Sequence, residues 1–540
     1  MEIEFTKTLR KVRVQRMNIK QAKNEIKNTV NAYLLKDEAG DYVIPEIRQR
    51  PILMMGPPGI GKTQIMEQIA RECKIGLVAY TITHHTRQSA VGLPFIKEEE
   101  FDGQTVSITE YTMSEIIASV YRTIRDKGLR EGILFIDEIN CVSETLAPTM
   151  LQFLQCKTFG NQKIPKGWLI VAAGNPPEYN KSVRDFDMVT LDRVRKIDIE
   201  ADFDVWKEYA KSVSVTSAVI SYLQLRPRNF YRIEADVEGM QFVTARGWED
   251  LSSLIDAYNK LGISVDETVI GEYLQHEEVA KDVAAYLDLY KKYQDDYGIE
   301  QILLGNAAPN VYARIIKASF DERLSVVNLL ISGLNVYFKK VSELKFTADK
   351  WYEFLKEFRL RLRGKNTIPY EVYSGLLKEF ENDIQMKKKN GFLLKEEFIR
   401  LGNSYNLIKT ALSGLREDRA SKKDTGADSP EEADTEKAFE QARIPFHKLT
   451  EELERREEQA LYALNNAFDF AEHAFENGSE MVVFVTELTM GSDSAAFLSE
   501  NECEKYLKYN KELMIGTKKA EILASLNVDE IRGNEHMREF

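Results

Sequence analysis

Wholly apolar segments alternate with segments of helical periodicity in the first part of the chain. Ile52–Met55, Ile133–Ile136 and Trp168–Ala173 contain no polar residue, whereas Gln64–Glu72 repeats its apolar residues at helical spacing. Strands that are apolar on both sides, with helices between them, are typical of a parallel sheet covered on both faces. The pattern predicts an α/β domain over residues 46–202.

Beyond about residue 263 the pattern becomes helical, with few strand signals. It predicts a helical region at 263–416 and a mostly helical C-terminal region at 438–540. In the latter, the short apolar run Glu480–Thr486 fits either a strand or one turn of a buried helix. The clearest helical segments of the former are Val279–Tyr293, Val311–Ile316, Ser325–Phe338 and Trp351–Leu362.

Two further segments differ in composition. Residues 417–437 carry eight acids and four bases but no large aliphatic or aromatic residue, which predicts an acidic linker that buries too little surface to order itself. Residues 1–45 are predicted to form an N-terminal helix and lead-in, because apolar residues recur there at helical spacing, as at Ile19, Ala22, Ile26 and Val30.

Composition narrows the classes of function. A chain of 540 residues, 43% of them hydrophobic and 29% charged, is long enough for about two to four domains. Its formal net charge of −13 disfavours a general nucleic-acid binder. The four cysteines form no C-x-x-C pair, no apolar run reaches membrane-spanning length, and no signal peptide is recognisable. These features predict a cytoplasmic protein.

A phosphate-binding motif follows the first apolar segment. It matches the pattern G-x-x-x-x-G-K-[ST], in which backbone N–H groups and a helix N-terminus converge on a polyphosphate. We predict that Lys62 contacts the β- and γ-phosphates and that Thr63 holds Mg²⁺. The residues of this glycine loop are Gly56, Pro57, Pro58, Gly59, Ile60, Gly61, Lys62 and Thr63, followed by Gln64 in the predicted helix.

Acidic and amide side chains follow the other two apolar segments. Asp137 and Glu138 come directly after Ile133–Ile136, and Asn175 follows Trp168–Ala173. Asp137 is predicted to hold the magnesium shell, and Glu138 to polarise the water that attacks the γ-phosphate. Asn175 is predicted to contact the γ-phosphate or that water.

The order of these motifs, completed by Leu191-Asp192-Arg193, resembles that of the AAA+ ATPases. The chain is most similar to the MoxR-like subgroup, related to the AAA modules of dynein and midasin, over about residues 14–260. The resemblance implies a P-loop NTPase of AAA+ type, with a parallel sheet, a helical lid at 203–262, and ATP and Mg²⁺ as cofactors. It also implies that the strands before Asp137 and Asn175 flank the strand before the glycine loop.

The same resemblance implies roles for single residues. Lys62 and Thr63 correspond to the Walker A motif, Asp137 and Glu138 to Walker B, and Asn175 to sensor 1.

Arginines complete the set of roles. Arg193 lies at the position of the arginine finger, which reaches the nucleotide of the neighbouring subunit, and Arg195 is the alternative. Sensor 2 corresponds to Arg246 in the triplet Thr244-Ala245-Arg246, which lacks the proline of the family pattern, and Arg228 is the alternative.

Two extended runs, Gly92–Ile96 and Val106–Ile108, flank the turn residues Asp102-Gly103 and predict a β-hairpin. In the MoxR-like subgroup such an insert faces the central pore and touches substrates or partners. A surface hairpin without that role is the alternative.

The resemblance implies an ATP hydrolase that forms a hexameric ring of identical subunits. Such a ring remodels, matures or assembles a partner protein, for example one with a von Willebrand factor A domain. A nucleotide-dependent restriction or defence motor acting on DNA is the alternative, which the acidic balance disfavours. A non-catalytic scaffold ranks last, because both Lys62 and Glu138 are present.

Overall fold

A computed structural model of the protein describes residues 16–84, 87–159, 162–179, 183, 186–236, 239–364, 368–423 and 432–514. Residues 1–15 of the predicted lead-in and 515–540 of the predicted C-terminal region lie outside the described residues. The strands are β1 (Met17–Asn18), β2 (Ile52–Met55), β3 (Gly76–Thr81), β4 (Pro94–Phe101), β5 (Gln104–Tyr111), β6 (Gly132–Asp137), β7 (Thr158–Phe159), β8 (Gln162–Lys163), β9 (Trp168–Gly174), β10 (Arg195–Glu200), β11 (Arg232–Asp236) and β12 (Gly239–Val243).

The helices fall into two groups along the chain. Those up to residue 262 are α1 (Ile19–Leu34), α2 (Lys62–Cys73), α3 (Arg87–Val91), α4 (Glu115–Lys127), α5 (Ala147–Cys156), α6 (Met188–Arg193), α7 (Phe203–Ser212), α8 (Ser217–Leu225) and α9 (Ala245–Leu261). Those beyond it are α10 (Glu267–Tyr273), α11 (Glu277–Tyr297), α12 (Ile299–Leu303), α13 (Pro309–Lys317), α14 (Phe320–Leu362), α15 (Pro369–Asn390), α16 (Lys395–Lys423), α17 (Glu432–Phe475), α18 (Ser479–Met490) and α19 (Ser492–Glu500).

The central sheet of the described residues has the order β1-β10-β2-β9-β6-β3 and is parallel throughout. Strand β2, which leads into the glycine loop, pairs with β9 on one side and β10 on the other. The prediction that β9 flanks β2 is confirmed, but the prediction that β6 also flanks it is wrong, because β9 lies between them. Since β9 ends in the small residues Ala173 and Gly174, the acidic tip of β6 still reaches the loop across it.

Helices cover both faces of this sheet, as its apolar strands require. On one face α1 and α2 contribute Ile26 and Met66 to a core that includes Val171 of β9. On the other face α4 and α5 contribute Val120 and Phe153 to a second core. The predicted α/β fold with a parallel sheet, followed by a mostly helical region, is confirmed.

The lid helices share one hydrophobic core with most of the helices that follow. This inner core runs from Trp206 and Trp248 of the predicted lid, through Tyr286 and Phe338, to Phe484 in α18. No buried residue of the two sheet cores belongs to it. The described helices beyond residue 262 that contribute to the inner core are therefore packed on the lid rather than on the sheet.

A second helical bundle, the outer bundle, has a hydrophobic core separate from the inner core. Its outer core takes Trp351 from the C-terminal half of α14, Tyr373 from α15, Ile408 from α16 and Phe439 from α17. Helix α14, with 43 residues, and helix α17, with 44, contribute to both cores. The two helices are antiparallel, because the N-terminal half of α14 and the C-terminal half of α17 lie in the inner core and their other halves lie in the outer core. They connect the two bundles.

Two sequence predictions need correction or completion here. The predicted linker at 417–437 is helical in its described parts, since α16 extends to Lys423 and α17 begins at Glu432, while 424–431 lie outside the described residues. Glu, Lys, Arg and Ala dominate these ends, and their helix propensity extends each helix past its last buried residue. The ambiguous run Glu480–Thr486 is helical within α18, where Met481, Phe484 and Val485 face the inner core.

Strands β4 and β5 form the predicted hairpin, with Phe101 opposite Gln104 and a two-residue turn between them. Asp102 and Gly103 have φ angles of 49° and 79°, as the tight hairpin turns of this length require. Within the described residues, no single helix is long and apolar enough to cross a membrane, and α18 with α19 meets that criterion only as a pair bent by 86°.

Candidate active site

The glycine loop connects the end of β2 to the first residue of α2, Lys62. Gly59 and Gly61 have φ angles of 72° and 92°, in the left-handed region that favours glycine. A Cβ at Gly59 would lie 2.9 Å from Thr244 Oγ1, at the start of α9. The loop is therefore closed against the lid, and the N-terminus of α2 faces its interior as an anion-binding site requires.

Lys62 is folded over the loop and is only 8% exposed. Its ammonium donates hydrogen bonds to the carbonyl oxygens of Gly56 and Pro57 and to Asn175 Oδ1, at 2.9, 2.8 and 2.8 Å. Burial lowers the pKa of Lys62 to about 8, against the opposing effect of the nearby Asp137 carboxylate. All three acceptors are uncharged, so phosphate oxygens are stronger partners for this ammonium.

Thr63 and Asp137 meet across the tip of β9. Thr63 Oγ1 donates a 2.9 Å hydrogen bond to Asp137 Oδ2. One hydroxyl and one carboxylate beside a phosphate loop fit Mg²⁺, which takes few protein ligands and completes its shell with phosphate oxygens and water. No group of three or more His, Cys, Asp or Glu side chains that could hold a metal occurs among the described residues.

Glu138 turns the chain sharply after β6, with a φ of 57°. Such a left-handed conformation is uncommon for a residue with a side chain, and it directs Glu138 away from the strand. Its Oε2 accepts a 2.9 Å hydrogen bond from Thr83 Oγ1, just beyond β3. Thr83 is absent from the sequence prediction, although β3 pairs with β6 and Thr81 lies opposite Asp137.

Asn175 follows β9 and is held at two points. Its side chain accepts the hydrogen bond from Lys62, and its backbone oxygen accepts a 2.8 Å hydrogen bond from Asn140 Nδ2. Asn140 is also absent from the sequence prediction. The only available signal was its position two residues after Glu138.

The lid contributes Arg246 to the site. Its backbone N–H donates to the Gly59 oxygen at 3.2 Å, and its positive charge contributes to the lowered pKa of Lys62. Arg228 lies in the short helix Pro227–Asn229 and is exposed. Of the two sensor 2 candidates, Arg246 is the one that the structure brings to the glycine loop.

The two finger candidates lie outside this cluster. Arg193 is exposed at the end of α6, where it donates a hydrogen bond to Gln155 Oε1. Arg195 is bound within its own subunit, to Thr29 Oγ1 at 2.6 Å and to the Glu25 carboxylate. Arg193 is therefore the better placed of the two to reach another subunit.

Comparison with known proteins finds a family model that matches part of the chain. Residues 52–190 match the AAA family, described as the ATPase family associated with various cellular activities. A search of curated proteins found no match. Among solved structures, the chain is similar to the FIGL-1 AAA domain in complex with ADP, at 14% sequence identity and a TM-score of 0.28, over 52% of this chain and 88% of that chain. The family match includes the glycine loop, Asp137, Glu138 and Asn175.

Proposed function

We propose that the AAA ATPase domain of this chain, an ATP hydrolase, drives the remodelling of a partner protein from a ring of identical subunits. One observation carries the catalytic part. Lys62 and Thr63 of the glycine loop are joined by hydrogen bonds to Asn175 and Asp137, which follow different strands, with Glu138 adjacent to Asp137. These are the groups that phosphoryl transfer to water requires in one place.

The proposed reaction follows from these positions. Backbone N–H groups of Gly59–Lys62 bind the phosphates, and Lys62 exchanges its carbonyl acceptors for β- and γ-phosphate oxygens. Thr63 and Asp137 would hold Mg²⁺, which neutralises charge on the phosphate oxygens when bound. Glu138 accepts a proton from the attacking water, and Asn175 orients that water or the γ-phosphate.

The exposed position of Arg193 supports the proposal that the chain assembles into a ring of identical subunits. A guanidinium that is exposed at the end of α6 can complete the site of a neighbour, which makes a ring a condition for turnover. The hexamer, the MoxR-like identity, the von Willebrand factor A domain partner and the cytoplasmic location belong to this proposal. The hairpin β4–β5 is its candidate contact with the partner, because Phe95, Ile96 and Phe101 are exposed along it.

The inner core supports a mechanical role for the C-terminal helices. Buried Glu487 of α18 accepts hydrogen bonds from Lys207 at 3.1 Å and Gln224 at 2.8 Å, and it also pairs with Lys211. These three partners lie on the lid helices α7 and α8, so we expect the lid and the helices packed on it to move as one body. Helix α14 is roughly 65 Å long and extends that movement to the outer bundle.

Distance measurements between spin labels test this transmission. Labels at the exposed positions Arg122 on α4 and Lys356 on α14 are expected to change separation between ATP and ADP, while labels at Asp250 on α9 and Lys356 keep theirs. Labelled chain is diluted into unlabelled chain so that only distances within one subunit are measured. A constant Arg122–Lys356 distance, or a variable Asp250–Lys356 distance, contradicts the transmission.

The proposed function is tested with Glu138→Gln. This variant is expected to bind ATP, lose turnover, and retain partner protein together with a ring-sized mass in ATP but not in ADP. Lys62→Ala is expected to lose ATP binding, so any protein that it retains in ATP is bound non-specifically and is excluded as the partner. Unchanged turnover in Glu138→Gln would overturn the catalytic assignment. Stimulation of turnover by DNA would favour the DNA motor instead.

A further inference from the structure

Asn140 is a buried polar residue that the reaction described above does not use. It is 3% exposed, two residues after Glu138. Its Nδ2 donates a 2.8 Å hydrogen bond to the backbone oxygen of Asn175. Its Oδ1 accepts no hydrogen bond from any described residue. Burying an amide whose oxygen has no hydrogen-bond partner costs stability. Stability alone therefore does not explain why Asn140 is buried here and bonded to Asn175.

The bond lies where the ladder between β6 and β9 stops. Paired residues extend to Ile136 opposite Ala172, and one more backbone bond joins the Ile139 N–H to the Ala173 oxygen at 2.9 Å. The left-handed turn at Glu138 lies between these two connections. The side chain of Asn140 reaches back and continues the connection, so that it joins the loop after β6 to the residue after β9.

The space for this amide depends on Gly174. A Cβ at Gly174 would lie 2.5 Å from Asn140 Oδ1 and 2.9 Å from Asn140 Cγ. Gly174 does not have a positive φ, so its backbone does not require glycine. The absence of a side chain at 174 therefore serves the placement of the Asn140 amide.

We propose that Asn140 is a positioning residue for ATP hydrolysis. It fixes the backbone of Asn175 and thereby the Asn175 side chain, whose Oδ1 lies 2.8 Å from Lys62 Nζ. Because Asn140 and Glu138 share one short turn, the same contact sets the distance between Asn175 and the proposed base. In this proposal Asn140 acts through Asn175 and is not itself a catalytic residue.

Asn140→Leu tests this role because leucine has a similar shape and no hydrogen-bonding groups. We expect kcat to fall by about ten- to a hundred-fold while ATP affinity is unchanged, since displacement of a reacting group affects the chemical step. In an Asn175→Ala background the same substitution is expected to have little further effect, because the side chain that Asn140 positions is gone. Equal fold losses of kcat in both backgrounds would show a structural role and overturn the proposal, as would a loss confined to ATP affinity.

Asn229 offers a matched control within the lid. It is 4% exposed, its Nδ2 donates a 2.7 Å hydrogen bond to the Tyr222 hydroxyl, and its Oδ1 accepts no hydrogen bond from the described residues. Asn229→Leu is expected to lower the melting temperature without the selective loss of kcat. An equal kcat loss in Asn229→Leu would also overturn the proposal.

Gly174→Ala provides a second route to the same result if Asn140→Leu does not fold. The added methyl group displaces the Asn140 amide, and the substitution removes none of the proposed catalytic side chains. We expect the same selective loss of kcat and the same insensitivity in the Asn175→Ala background. Wild-type kcat in a folded Gly174→Ala protein would contradict the inference.

Discussion

The ammonium of Lys62 lies 2.8 Å from the Oδ1 atom of Asn175, and this hydrogen bond joins the glycine loop to the tip of β9. The two residues are 113 positions apart in the chain. The bond places the cation proposed to bind the phosphates beside the amide proposed to sense the γ-phosphate. Displacement of either side chain is therefore expected to displace the other.

ATP affinity is expected to fall as pH rises through about 8, because burial lowers the pKa of Lys62 to that value. Below this pH the ammonium is already charged, and binding an anion requires no proton. Above it the free protein carries a neutral amine, and ATP binding must take up a proton. Calorimetric titrations in buffers of different ionisation enthalpy measure this uptake. Lys62→Arg, which stays charged, is expected to remove the proton uptake, and a pH-independent wild-type affinity would contradict the prediction.

Gly59→Ala is expected to abolish ATP binding. The substitution introduces a Cβ at a φ of 72° and 2.9 Å from Thr244 Oγ1, so the loop must leave the lid. Gly262, which ends α9, has the same φ but nothing within 4 Å of the added Cβ. Gly262→Ala is thus the matched control for backbone strain, expected to cost about 1 kcal/mol of stability and no ATP affinity. Titration with a fluorescent nucleotide measures the affinity of each variant. Similar affinities would contradict the prediction that contact of the added Cβ with Thr244 prevents ATP binding.

Arg193→Ala is expected to reduce turnover strongly while leaving ATP affinity intact, because the finger acts on a neighbour's nucleotide. Mixing Arg193→Ala with Glu138→Gln is the decisive measurement. Each variant alone is expected to have little turnover, but a mixed ring contains sites with an intact Glu138 next to an intact Arg193, so part of the activity is expected to return.

Arg195→Ala separates this role from packing. Since Arg195 bonds Thr29 and Glu25 of α1, we expect it to lower the melting temperature rather than kcat. Absence of any rescue by Arg193→Ala would exclude a trans-acting role for this residue.

Glu487→Ala is expected to destabilise the inner core by about 3–5 kcal/mol, because it removes the buried carboxylate that pairs with Lys207 and leaves only the exposed Asp204, 3.9 Å from the ammonium. Chemical denaturation followed by tryptophan fluorescence measures the loss. Glu500, which pairs with Lys345 on the surface, is the control, and Glu500→Ala is expected to cost about 0–1 kcal/mol. Equal costs for the two variants would show that the Glu487 contacts do not join α18 to the lid.

Prediction from sequence succeeded where local pattern determines structure. The glycine loop, the strand before Asp137 and the hairpin around Asp102 all depend on residues close together in the chain. Sheet order failed for β6, because which strand lies next to β2 depends on crossovers that periodicity does not record. Asn140 and Thr83 were missed for a related reason, since each bonds a residue tens of positions away, and such pairs leave no trace in spacing.

The C-terminal region shows the same limit on a larger scale. Helical periodicity identified segments of α11, α13 and α14, but not that Phe484 and Trp206 share one core. Helix ends were misplaced at 417–437 because solvated, charged helical turns have the composition of a linker. The roles of Arg193 and Arg246 and the MoxR-like identity stay predictions.

The antiparallel pairing of α14 and α17 has a consequence for how the length of this protein can change. Each turn added to or removed from one helix between the two cores must be matched by a turn in the other, or the outer bundle loses its register. The distance from the nucleotide site to the outer bundle can therefore change by about 5.4 Å for each turn that is added to or removed from both helices, without altering the nucleotide site itself.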